Sequence, residues 1–153
     1  MSRVNFGVKP WLYPMPVLIV ATYDENGVPD AMNAAWGIIT DMNEISISMG
    51  EHKTTENIAK TGAFTVSMAT ADTVTASDYV GIESAAKECK VKCFDNGILV
   101  GEIVNINADE SVLTDGRIDP AKLKPISYDP VNNDYLVLGE KVGNALKDGL
   151  KLK

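Results

Sequence analysis

The clearest apolar and polar alternation lies at residues 45–49, Ile-Ser-Ile-Ser-Met, which has the period of two of a strand with one face inward. Residues 11–23 behave differently. They open with Pro14 and Pro16 and continue as an unbroken apolar run. The prolines suit a strand start, where a missing N–H breaks no ladder, and the continuous run predicts a strand covered on both faces. Asp24-Glu25-Asn26-Gly27 then marks a turn, because Asn-Gly readily takes positive φ, and the chain is expected to double back through residues 29–36. A second turn, Asp41-Met42-Asn43-Glu44, precedes the alternating strand. Residues 63–68 are rich in β-formers. Residues 89–94 and 98–106 flank Asp95-Asn96-Gly97 as a hairpin, and residues 135–138 read as a last strand.

Helical signals are short. Residues 55–60 are closed by Gly62, with Thr54 or Thr55 as the N-cap. A second helix opens at Thr70-Ala71-Asp72 and runs toward Tyr79 and Gly81. A third starts at Asp119-Pro120, with Asp as cap and Pro in the first turn. Strands joined by tight turns with short helices between them predict a mainly β (α+β) fold, an antiparallel barrel decorated by helices. Regular βαβ alternation is missing, which argues against a doubly wound parallel sheet.

Composition narrows the function classes. The 153 residues suit one domain spanning 1–153. No apolar run approaches the roughly eighteen residues of a membrane span, and the N-terminus lacks signal-peptide character, so a cytoplasmic protein is expected. The formal charge is −7, and the 14 Lys and Arg residues are scattered without a basic stripe. Nucleic acid is therefore not an expected partner, and any phosphate site must be local. Cys89 and Cys93 lie four apart in a predicted strand, about 13 Å when extended, which places them beyond disulfide reach. Both are expected to be reduced. A single histidine leaves no conventional Cys/His zinc site.

Familiar catalytic signatures are missing too, with no G-x-S-x-G, P-loop or G-x-G-x-x-G. His52 reads as a loop residue rather than a base, and the carboxylates Asp109, Glu110 and Asp115 as solvated turn residues. Two segments stand out. Pro29-Asp30-Ala31-Met32-Asn33-Ala34-Ala35-Trp36 is a run of small or amide-bearing residues. Taken alone it reads first as a packed strand start ending in a core tryptophan, and second as a backbone surface open to a flat ligand. Glu51-His52-Lys53-Thr54-Thr55-Glu56-Asn57 places a cation and two hydroxyls at a helix N-terminus. Either a threonine merely caps that helix, or its N–H groups and dipole hold an anion. A flat heteroaromatic ligand with a phosphate tail, such as flavin mononucleotide, would need both segments.

Those segments also carry a resemblance. Tyr13-Pro14-Met15-Pro16-Val17, Thr22-Tyr23-Asp24-Glu25-Asn26-Gly27, Ala31-Met32-Asn33-Ala34-Ala35-Trp36-Gly37 and His52-Lys53-Thr54-Thr55-Glu56-Asn57-Ile58 are followed in order by Phe64-Thr65-Val66-Ser67 and Asp78-Tyr79-Val80-Gly81-Ile82. Gly101-Glu102-Ile103-Val104, Asp109-Glu110-Ser111-Val112-Leu113, Lys124-Pro125-Ile126 and Tyr128-Asp129-Pro130 complete the set. In this pattern the sequence resembles the flavin reductase-like, FMN-binding split-barrel family, on its flavoredoxin-like side. The resemblance implies an antiparallel, Greek-key-like split β-barrel, a homodimer, and FMN near the subunit interface. It implies that Ala31, Met32, Asn33, Ala34, Ala35 and Trp36 line the isoalloxazine ring, largely through main-chain atoms. Ser48, Met49 and Gly50 would lie beside the ring, His52, Lys53, Thr54 and Thr55 would hold the phosphate, and Asn57 completes the cofactor segment. Residues 78–81 would approach the flavin. The sequence departs from the family at residues 83–87, where members usually carry a few tens of residues more; the short connection near 83–88 is either a natural deletion or the place of a loop absent from this sequence.

The function implied is an FMN-dependent oxidoreductase that takes electrons from NAD(P)H and reduces flavin, ferric complexes or a similar acceptor. With the redox chemistry on the flavin, no catalytic side chain and no metal is expected. Trp36 is expected to pack in the core beside the site. The alternative is an electron-transfer module reduced by a partner protein, with no turnover of its own. A flavin-free barrel that binds a protein is a third reading.

Overall fold

The computed structural model describes residues 3–83 and 97–152. Strands dominate, in the order β1 (Met15–Pro16), β2 (Leu18–Tyr23), β3 (Pro29–Ala34), β4 (Gly37–Asp41) and β5 (Glu44–Ser48). Helix α1 (Lys53–Thr61) and β6 (Thr65–Met68) come next, then a 3-10 turn at Ala71–Thr73 running into α2 (Val74–Ile82). Beyond β7 (Ile98–Glu102) lie β8 (Leu113–Thr114), β9 (Arg117–Ile118), α3 (Pro120–Leu123), β10 (Ile126–Asp129) and β11 (Asp134–Val137). The predicted strand over residues 89–94, with Cys89 and Cys93, lies outside the described residues, as does most of the short connection at 83–88.

The described strands form three-stranded sheets in the orders β1-β10-β11, β3-β2-β6 and β4-β5-β7, with β8-β9 as a separate ribbon. Every pairing between these strands is antiparallel, as expected. The strands and antiparallel pairing of the expected split barrel are present, but among the described residues the sheets do not close into one continuous ladder. The break is physical. Between β3 and β4 the chain leaves β2 and takes up β5 as its partner, turning through Ala35 and Trp36.

Strand β2 is the centre. Val20 pairs with Met32 on one side and Val66 on the other, and it has no exposed surface. Leu18, Val20, Met32 and Ala34 face Ile47, Met49 and Leu99 of the neighbouring sheet, with Ile58 of α1 closing the cluster. The opposite face of β2 carries Ile19, which packs with Val17, Ala69, Val74 and Ile126 in a second cluster. The unbroken apolar run thus serves two cores, each with buried residues at its centre and partly buried ones around them.

The β2–β3 turn forms as predicted. Asp24 Oδ1 accepts from the N–H groups of Asn26 (2.8 Å) and Val28 (2.9 Å), and Gly27 sits at φ 77°. Gly62 ends α1 at φ 68° in the left-handed conformation, and Asp119 caps α3 by accepting from the Ala121 N–H. Trp36 corrects the expectation of a core residue, since it is 56% exposed. Its carbonyl accepts from the Ser48 N–H at 2.7 Å, which fixes the corner while the ring stays outside. Ile38, Ile98 and Val100 lie on the same open face by strand alternation and register.

The N-terminal arm is tied to the β10–β11 hairpin through Asp129. Its carboxylate accepts from the Tyr13 hydroxyl, from Asn132 Nδ2 (2.7 Å) and from the Val131 N–H (2.8 Å). The Tyr13 hydrogen bond, followed by that of Asn132, holds the Asp129 pKa down at about 2, and the same carboxylate pushes Tyr13 up to about 12. A carboxyl depressed below its unfolded value of about 3.9 adds stability above pH ~4 and loses it as pH falls toward 2. Tyr13→Phe is therefore expected to shrink the fall in stability over that window. Acid unfolding followed by circular dichroism measures it, and an unchanged pH profile would rule out the Tyr13 contribution.

Candidate functional site

Helix α1 starts one turn after β5, and its cap is His52 rather than Thr54 or Thr55. The helix begins at Lys53, so Thr55 falls at the third helical position. There its hydroxyl accepts from the His52 N–H (3.0 Å) and donates to the His52 carbonyl (2.8 Å). Thr55, 2% exposed, is thereby engaged in shaping the helix start. Lys53 and Thr54 occupy the first two positions, whose N–H groups have no acceptor within the helix, at the positive end of its dipole.

These residues border an open cleft. One wall is β3, through Asp30, Ala31, Met32 and Asn33; the second is His52, Lys53 and Thr54; the third is Val80 and Gly81 of α2, with Glu83 beyond. Its free volume is about 50 Å3, far below the ~300–1,000 Å3 of pockets that envelop a cofactor-sized ligand. That space is too small to envelop a tricyclic ring. Strand β3 is the edge of its sheet among the described strands, so about half of its backbone N–H and C=O groups point away from β2. That exposed backbone is the feature a flat polar ring edge requires.

The residues singled out from sequence divide accordingly. Ala31, Met32, Asn33, His52, Lys53 and Thr54 come together at the cleft. Ala34 and Met49 are buried in the main core, and Ala35 and Trp36 form the corner to β4. Ser48 and Gly50 are exposed on the path from β5 to α1. Asn57 is 1% exposed, and neither Nδ2 nor Oδ1 has a protein partner. Its amide is a buried polar group in want of a water or a ligand atom. Two lining carboxylates, Asp30 and Glu83, are not among the site residues expected from sequence. Asp30 lies within the small-residue run, but nothing local marks a carboxylate at a strand start as site-facing.

Helix α2 is held against β3 by a polar brace. Asn33 Nδ2 donates to the Ser77 carbonyl at 3.0 Å, and Tyr135 donates to Asp78 Oδ1 at 2.7 Å. Burial first, then the Asp78 hydrogen bond, pushes the Tyr135 pKa to about 12, which keeps the donor protonated. Asn33 thus spends its amide on positioning the wall. Gly81 permits the approach, because a Cβ there would meet Asn33 Cβ at 3.0 Å.

Two substitutions test that wall. Gly81→Ala gains about 1 kcal/mol of helix propensity and loses a similar amount to crowding, so it is expected to be near neutral. Gly81→Val adds more bulk for a smaller propensity gain and is expected to cost about 1–3 kcal/mol. Denaturant midpoints decide it, and equal stability of both variants with the parent would mean that α2 does not depend on this contact.

No family model and no curated protein matches the chain. Among solved structures, it is similar to the flavoredoxin of Desulfovibrio vulgaris (Miyazaki F), at 27% identity, covering 97% of this chain and 100% of that one with a TM-score of 0.89. A flavoredoxin from Methanosarcina acetivorans shares 24% identity, with both chains fully covered and a TM-score of 0.86. An FMN-binding domain of a flavin reductases-like enzyme from Shewanella baltica OS155 shares 18%, over 84% of this chain and 88% of that one, with a TM-score of 0.70. In fold, and along nearly all of its length, the chain resembles the flavoredoxins and the flavin reductase-like, FMN-binding split-barrel proteins.

Proposed function

We propose that the protein is an FMN-binding flavoprotein with oxidoreductase activity. The observation that carries this reading is the meeting of an edge strand of small residues with the N-terminus of α1 at one cleft. It is supported by the structural similarity to flavoredoxin over 97% of the chain. When bound, the flavin supplies the electron-accepting and electron-donating chemistry. The chain's own work is binding and orientation. Lys53 and the first N–H groups of α1 hold the phosphate, the outward backbone groups of β3 meet the polar edge of the ring, and the braced α2 limits water on the third side.

The cleft leaves most of a flavin uncovered, and a second copy of the chain is proposed to cover it. Val8, Val142 and Leu146 stand at 98% exposure or more, and the face of Trp36, Ile38, Ile98 and Val100 is open as well. Of these, the adjoining exposed apolar residues Trp36, Ile38, Ile98 and Val100 support that reading.

We propose NAD(P)H as the electron donor, with flavin, a ferric complex or a similar small acceptor as the oxidant. An electron-transfer module reduced by a partner protein is the second reading, supported by the structural similarity to flavoredoxin. Steady-state NAD(P)H oxidation by holoprotein separates the two, since the module reading predicts no turnover with any acceptor.

The cofactor itself is tested first by the visible spectrum of the purified protein, expected to show flavin bands. Lys53→Glu is expected to weaken FMN by about tenfold or more at low salt and riboflavin much less, because only FMN carries the phosphate. Fluorescence titration with both ligands measures this. Equal losses would place the phosphate elsewhere.

A further inference from the structure

The charge around the helix start is unusual for a phosphate site. Lys53 is the one lysine or arginine among the described residues that line the cleft, against the carboxylates of Asp30 and Glu83. Its charge is already shared. Glu56 lies 3.7 Å from Nζ, and Lys53 is near enough to Asp24 to help hold that carboxyl below its usual range, after the larger effects of the Val28 and Asn26 N–H groups.

Asp30 is the carboxylate that acts on the site most directly. Thr54 Oγ1 donates to Asp30 Oδ2 at 2.6 Å, and Thr54 is 2% exposed. A threonine hydroxyl has one proton. While that proton is engaged with Asp30, an anion above the α1 N-terminus meets the hydroxyl's lone pairs and the field of a nearby negative charge. It gains only the backbone N–H groups and Lys53. A neutral ligand hydroxyl has the opposite preference, because it can donate to a carboxylate.

We propose that Asp30 is a specificity-determining residue of the cleft, one that weakens a phosphate dianion there and favours uncharged, hydroxyl-bearing ligand groups. For flavins, Asp30 narrows the difference between FMN and riboflavin. The proposal rests on the reading of the α1 N-terminus as the phosphate site, and it concerns the residue that sets how tightly that site takes its charge.

The test compares the full-length parent with Asp30→Asn, which keeps the shape and an acceptor for Thr54 but removes the charge. Asp30→Ser is a second variant, should the first not fold. Each protein is titrated with inorganic phosphate, followed through the backbone amide signals of residues 53–55, and with FMN and riboflavin, followed by flavin fluorescence. In the variants, phosphate and FMN are expected to bind about three- to tenfold tighter at low ionic strength, with the gain shrinking as salt is added. Riboflavin is expected to bind no tighter than to the parent. Phosphate affinity that is unchanged, lower or undetectable in the variants overturns the proposal, as does an equal gain for riboflavin and FMN. Tighter phosphate without binding of either flavin upholds the role of Asp30 and defeats the flavin reading, so the two failures are distinct.

Discussion

The double pairing of β2 is the constraint on which the rest depends. A strand hydrogen-bonded on both edges and packed on both faces has no freedom of register, because a slip of one residue would exchange its two faces. Val20 would leave the main core cluster, and Ile19 would have to enter it. Fixing β2 fixes β3 through the Asp24–Gly27 turn, and therefore fixes which side chains of β3 point to the core. Met32 and Ala34 go in; Ala31 and Asn33 face the other way, toward α2.

The two helices around the cleft follow from that placement by different means. Helix α1 is seated by Ile58 in the main core and by the Thr54–Asp30 hydrogen bond to β3. Helix α2 has a weak apolar anchor, chiefly Val74, and depends on polar contacts, Asn33 to Ser77 and Tyr135 to Asp78. A wall held by hydrogen bonds at defined angles is more sharply positioned than one held by apolar contact alone. It is also more easily lost when one partner is removed.

Local chemistry was legible in the sequence; long-range consequences were not. Asn26-Gly27, Gly62 and Asp119-Pro120 each carry their own conformational signal, and each appears as read. Strand β10 has no such signal. Ile-Ser-Tyr-Asp becomes a buried strand because Met15–Pro16 and β11 flank it, more than 100 residues away in the first case. His52 is a poor cap by type, and it caps α1 because the hydroxyl of Thr55 returns to its N–H. Trp36 was read as core by residue type, yet the hydrogen bond from Ser48 holds its backbone at a corner and leaves the ring outside. For the site, the helix N-terminus and the small-residue strand were visible in the sequence, but their meeting at one cleft, with Asp30 between them, is a property of register.

An acidic chain proposed to bind an anion faces opposing demands. A net charge of −7 repels phosphate from a distance, so attraction must come from groups effective at close range. Backbone N–H groups at a helix start meet that need, because they carry no net charge, cannot titrate and are oriented before the ligand arrives. Lysine alone would be a weaker device here, since Glu56 competes for Lys53 at 3.7 Å. Carboxylates beside such a site then act as a graded control rather than as a contradiction. In the proposed site the backbone sets where an anion would lie, Lys53 would add to its binding, and the Thr54–Asp30 pair would limit how much negative charge the cleft tolerates.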